Sequence, residues 1–182
     1  MLKLSLNRWL LILALPLLVV ANFWLRSDLR LERQVGEPWL VNRVISGQTI
    51  EASPINNPTA VVQRIRLIGI SAPLKEQIPW GDRARQRLEA LVKEQQVTLE
   101  FGIKQKDSSD RLLAYVWKDN RLINLQLVEE GFVLADPFIA NVKYDAQLSR
   151  GQTIARLMEL GIWEPRNPLR LSPKDFRRQL SK

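Results

Sequence analysis

The chain has 182 residues, 27 Lys and Arg against 19 Asp and Glu, a formal charge of +8, and neither cysteine nor histidine. That length allows one domain with accessory segments, and a core that needs no disulfide or metal to hold it. The missing residue types exclude disulfide frameworks, thiolate nucleophiles, His-ligated metals and Ser-His triads, while the charge favours polyanions or anionic membrane surfaces as partners.

Trp9 to Leu25 is a run of 17 residues without a charge. As a helix it would span about 26 Å, at the short end for a bilayer core of roughly 30 Å. Lys3 and Arg8 precede it, Arg26, Arg30 and Arg33 follow, and Trp9 and Trp24 stand at its ends, where interfacial aromatics belong. Residues 1–26 therefore read as a single-pass membrane anchor, with the domain leaning to the extracytoplasmic side. The rival reading is a signal peptide cleaved after Val19-Val20-Ala21, which implies secretion. Residues 27–38 form a short charged linker closed by Gly36 and Pro38. From residue 38 onward, 22 Lys and Arg against 16 Asp and Glu leave +6, so the domain itself is basic.

Trp39 to Ile45 alternates as a strand, Ser46-Gly47-Gln48 turns it, and Thr49 to Ala52 resumes the pattern. Ser53 to Thr59, with its prolines and asparagines, is a loop, and Ala60 to Ile70 reads as one long strand ended by Pro73. Trp80 to Gln95 is helical, with Ala84, Leu88, Leu91 and Val92 at helical spacing. Val97 to Phe101 and Arg111 to Trp117 are strands joined by a polar loop, and Lys118-Asp119-Asn120 is a tight turn. Leu122 to Glu130 reads as a short helix closed by Gly131. Tyr144 to Leu160 is a second long helix, in which Gly151 is a weak point costing about 1 kcal/mol relative to Ala. This order predicts an α+β domain over residues 39–164, built on a small closed barrel. Residues 165–182 form a basic tail, with Ser172 and Pro173 placed to cap a terminal helix. The tail reads as a solvated end, with contact to nucleic acid or a membrane surface as the sharper alternative.

From Val41 to Trp163 the chain resembles the staphylococcal nuclease (thermonuclease-like) family. The resemblance rests on Val44-Ile45-Ser46-Gly47-Gln48-Thr49-Ile50, Arg66-Leu67-Ile68-Gly69-Ile70-Ser71-Ala72-Pro73, Gly81 with Ala84, and Arg111-Leu112-Leu113-Ala114-Tyr115-Val116-Trp117. Asn124 with Leu127-Val128-Glu129-Glu130-Gly131, and Ala155-Arg156 with Gly161-Ile162-Trp163, complete it in order and spacing. It implies a five-stranded OB-type β-barrel with three helices, and phosphodiester cleavage of DNA or RNA with one Ca²⁺. It also implies metal-binding carboxylates at the positions of Gln48 and Ser71, a general base at Leu74, and two phosphate-gripping arginines at Arg66 and Arg111. Both arginines are kept and all three carboxylates are lost. Without compensation, the missing base and metal lower activity at least ~10⁴-fold.

Glu76 is the best-placed substitute acid, ahead of Glu51, Asp82, Asp107 and Asp110. Trp80, Trp117 and Trp163 read as packing rather than base-stacking platforms. The expectation is a membrane-anchored, catalytically degenerate thermonuclease-like domain that binds a nucleic-acid phosphate backbone or a protein partner, with no cofactor. Its rival is an active metal-dependent endonuclease with a rearranged site, the one case in which Ca²⁺ enters.

Overall fold

The computed structural model describes residues 36–57 and 59–181. The expected anchor and most of the linker lie outside the described residues. Among the described residues no helix is long and apolar enough to cross a membrane.

Strands β1 (Pro38–Ser46), β2 (Thr49–Pro54) and β3 (Gln63–Leu67) form an antiparallel meander. The long strand expected over Ala60 to Ile70 is cut short. Gly69 takes a positive φ of 74°, and the chain re-enters as β4 (Ile70–Ser71) in a separate pair with β8 (Leu134–Ala135). Strands β5 (Gln96–Lys106), β6 (Leu112–Lys118) and β7 (Arg121–Leu122) follow the first long helix. The six-stranded sheet runs β3-β2-β1-β5-β6-β7, and β3 also pairs in parallel with β6. Five strands are thus hydrogen-bonded in a ring around Val41, Ile50, Ile65, Leu67 and Val116, all fully buried. The β6–β7 turn carries Asp119 and Asn120 at φ 49° and 63°, as a two-residue hairpin requires.

The helices number four among the described residues, against the three that the resemblance implied. They are α1 (Trp80–Val92), α2 (Ile123–Glu129), α3 (Asp145–Leu157) and α4 (Pro173–Leu180). The extra one is α4, formed by the tail. Helix α3 stops short of Leu160 because Glu159 and Gly161 turn to φ 55°. Gly151 has a packing reason: a Cβ there would lie 3.0 Å from both the Glu129 and Leu125 side chains of α2. One buried amide ties the layers together. Asn124, at 0% exposure, accepts from Val116 N at 2.9 Å and donates to Ile68 O at 2.8 Å, fixing the end of β3 against β6.

Candidate nucleic-acid interface

The β1–β2 turn sets the first site position. Gly47 is pressed so closely on α1 that a Cβ would lie 2.6 Å from Ala84 Cβ and 2.9 Å from Ala72 Cβ. This closeness aims Gln48 at the segment after β4. Its Oε1 accepts a hydrogen bond from Ala72 N at 2.6 Å, an arrangement that only the oxygen can make. The Nε2 donors therefore point elsewhere, uncommitted among the described residues. Leu74 is held by a local frame. Its N–H donates to Gln77 Oε1 at 3.0 Å, and Gly81 lies against its carbonyl so tightly that a Cβ would approach to 2.0 Å.

Gln48 and Leu74 share a groove of about 510 Å³ with Ser46, Ala72, Lys75, Glu76, Asp82, Arg85 and Arg177. Ser71, Arg66 and Arg111 are not among its lining residues. Ser71 is 4% exposed in β4, and its Oγ has no partner among the described residues.

Arg66 lies on β3, in register with Thr49 on one side and Leu113 on the other. Its guanidinium donates to Leu67 O, and to Ile70 O at 2.7 Å, across the break between β3 and β4. Burial, and then the nearby Arg111, push its pKa down to about 10, so it remains a cation at neutral pH. Arg111 sits just ahead of β6. It binds Asp107 through Nε at 2.8 Å and Nη2 at 2.7 Å, while its own N–H reaches Asp107 Oδ1 at 3.1 Å. Partial burial alone would raise the Asp107 carboxyl, but these bonds and the Ser109 amide hold it below its ordinary value. Asp110 adopts φ 58° in the loop, a turn that glycine makes freely.

The two arginines are thus close enough to repel each other. The candidate substitute acids are scattered. Glu51 is engaged by Arg43 and Arg64, Asp110 by Lys106 and Asp107 by Arg111. Glu76 and Asp82 alone of the five line the groove. Among the described residues, no group of three or more acids is gathered to hold a metal. The donor set does not fit Ca²⁺ either, which takes six to eight oxygens with carboxylate counter-charge. The Gln48 oxygen is spent on a backbone amide, Leu74 offers none and Ser71 is buried. Trp80 and Trp117 are buried, with their indole N–H groups on Asn167 O and Glu100 Oε2, so packing describes them better than base stacking.

Sequence reasoning missed Arg177, whose only local signal was the Ser172-Pro173 helix start. It placed a solvated tail here. The tail's basic residues Arg166, Arg170, Lys174, Arg177 and Arg178 are indeed exposed, but the backbone is tied down, Asn167 O accepting from Trp80 at the start of α1 and Leu171 O from Gln77 just before it.

A family model of staphylococcal nuclease homologues matches residues 64–165. The thermonuclease of Staphylococcus intermedius is 32% identical over 163 residues, covering 85% of this chain and 95% of that protein. The thermonuclease of Staphylococcus hyicus is 31% identical over 132 residues, covering 70% of this chain and 76% of that one. An uncharacterized endonuclease of Haemophilus influenzae is 30% identical over 139 residues, covering 76% and 72%.

Proposed function

The chain belongs to the staphylococcal nuclease family, and from that premise we propose that it is a degenerate member, an OB-type barrel that binds the phosphate backbone of nucleic acid without cleaving it efficiently. The observation that carries this reading is the disposition of Gln48. Its oxygen is turned onto Ala72 N, so a position where the family's resemblance implies a metal-binding carboxylate presents hydrogen-bond donors instead. Donors suit anions, and a guanidinium fork such as that of Arg66 matches phosphate geometry. Base stacking plays little part, because the tryptophans named above are packed away.

The decisive experiment is a nuclease assay of the full chain with Ca²⁺ and with chelator, run beside binding to a short single strand at low salt. The proposal expects salt-sensitive binding in both conditions and cleavage at least ~10⁴-fold below an intact thermonuclease. Cleavage near the intact rate, abolished by chelator and by Arg66→Ala, would overturn it. The rival, a working phosphodiesterase, has one observation in its favour: Glu76 and Asp82 stand in the groove with Gln48 and Leu74. Under that reading Glu76→Gln abolishes cleavage.

The proposal extends to the uncharged run Trp9–Leu25 as an anchor holding the domain on the extracytoplasmic side, with signal cleavage and secretion as the alternative. N-terminal sequencing of the membrane fraction after carbonate extraction separates the two. Retention of the intact N-terminus in the pellet is the expected result.

A further inference from the structure

The tail reaches the groove by a built route. Beyond the 3₁₀ turn at Gly161–Trp163, Leu169 N donates to Ile162 O at 2.9 Å, Trp80 Nε1 to Asn167 O at 3.0 Å, and Gln77 Nε2 to Leu171 O at 2.9 Å. Ser172 then caps α4, its Oγ accepting from Asp175 N at 3.1 Å, and Pro173 is buried in the first turn. Phe176 faces a second cavity, of about 370 Å³, beside Trp80 and Leu169. The next residue, Arg177, is thereby carried to the groove that holds Gln48, Ala72, Leu74 and Arg85. It lies beyond the stretch that the family model matches.

Arg177 is exposed and, like Lys75 in the same groove, has no carboxylate within ion-pair distance among the described residues. Arg178 pairs with Asp175 at 3.4 Å, Arg85 with Glu89 at 2.7 Å and Arg111 with Asp107 at 2.7 Å. Neither acid that lines the groove, Glu76 or Asp82, lies within ion-pair distance of Arg177 among the described residues. It is also near enough to Arg66 to disfavour that buried cation. An unpaired cation lining one groove with an uncommitted amide N–H pair is a local concentration of hydrogen-bond donors. Such a site is completed by an anion, and a tetrahedral oxyanion meets guanidinium and amide donors together.

We propose that Arg177, carried in by α4, stands in for the divalent cation that the site's residues no longer fit, and clamps a backbone phosphate together with Gln48 Nε2 in a metal-independent manner. The inference rests on the nucleic-acid reading for the source of the phosphate, while the anion clamp is tested separately. No bond is made or broken in the step.

Two titrations of the full chain test it, each with and without chelator. In one, a fluorescein-labelled 12-nucleotide single strand is followed by anisotropy across a salt series. In the other, inorganic phosphate is followed by the shift in thermal midpoint. Arg177→Ala should weaken oligonucleotide binding about tenfold and lower the salt dependence by about one counterion. It should also abolish the stabilisation by phosphate. Arg178→Ala, which removes the same charge one residue away, should change either readout less than about twofold. Arg177→Lys should recover part of the loss, which excludes a collapsed helix as the cause. Chelator should leave both titrations unchanged.

The clamp is overturned if Arg177→Ala and Arg178→Ala behave alike, or if binding requires Ca²⁺. If the single strand fails to bind while phosphate stabilises through Arg177, the nucleic-acid reading falls and the clamp stands. If the strand binds and Arg177→Ala has no effect, the reverse holds. Failure of both titrations removes both.

Discussion

Replacing Arg66 with methionine separates a residue kept for binding from one kept for stability. The wild-type guanidinium is depressed from 12.5 to about 10, so the folded state disfavours the cation by about 3 kcal/mol. Against that stand its bonds to Leu67 O and Ile70 O, each contributing about 1.5–3 kcal/mol as a hydrogen bond to a charged donor. Methionine removes both terms and keeps the apolar stem. The opposing contributions leave a net of about 0–3 kcal/mol in favour of arginine, so Arg66→Met should lower the unfolding free energy by no more than about 3 kcal/mol in a urea titration followed by tryptophan fluorescence. Affinity for a short single strand should fall about 10–100-fold, because the planar fork is lost along with its charge. A stability loss above about 4 kcal/mol, with binding scaling only to the folded fraction, would refute the reasoning. Arg66 would then be a structural brace between β3 and β4.

Other expected outcomes follow from the same geometry. Asn124→Leu strands Val116 N and Ile68 O in the core, and should cost about 2–5 kcal/mol by urea unfolding, whereas an exposed Asn42→Leu should stay within about 0.5 kcal/mol. Asp107 titrates below its ordinary value in the folded state, so its pairing with Arg111 contributes stability above pH ~4 and loses it as pH falls through the folded value. Asp107→Asn should therefore flatten the acid limb of the stability curve, and an unchanged limb would show that the ion pair contributes nothing. The combined substitution Gln48→Asp, Ser71→Asp and Leu74→Glu should raise Ca²⁺-dependent cleavage by at least ~10²-fold; no gain would mean that the groove has diverged beyond three side chains.

The α+β class and most elements were legible because they are local. Alternating strands, the Asp119-Asn120 turn and the Gly131 stop each follow from a few consecutive residues. The break after β3 was not, because Gly69 sits in an apolar run and the partners on either side of it, Asn124 on Ile68 O and β8 on β4, come from more than 50 residues on. The attachment of the tail's backbone was missed for a similar reason: its polar, basic composition says nothing of three hydrogen bonds that reach back to Trp80, Gln77 and Ile162. For the site, the positions of Gln48 and Leu74 in one groove followed from the resemblance. The orientation of the Gln48 amide did not, since only the nearby Ala72 N–H decides which end faces inward. Arg177 lay outside any motif and became visible only once α4 had a place.

Losing the acids while keeping the arginines changes the electrostatics more than a list of substitutions suggests. Carboxylates at 48, 71 and 74 would offset the guanidiniums of Arg66 and Arg111 as well as hold a metal. With Gln, Ser and Leu there, Arg111 and, less, Arg177 disfavour the Arg66 cation, against Asp136 and then Asp107, which favour it. For Arg66 the bonds to Leu67 O and Ile70 O offset the cost of desolvation, so the repulsion lowers what the residue contributes without reversing its sign. A ligand that supplied negative charge from outside, such as a phosphate group, would relieve that repulsion. The repulsion has a measurable consequence. Phosphate should raise the thermal midpoint of the wild type more than that of Arg66→Met. If phosphate raised both midpoints equally, the arginines would not be waiting for an anion.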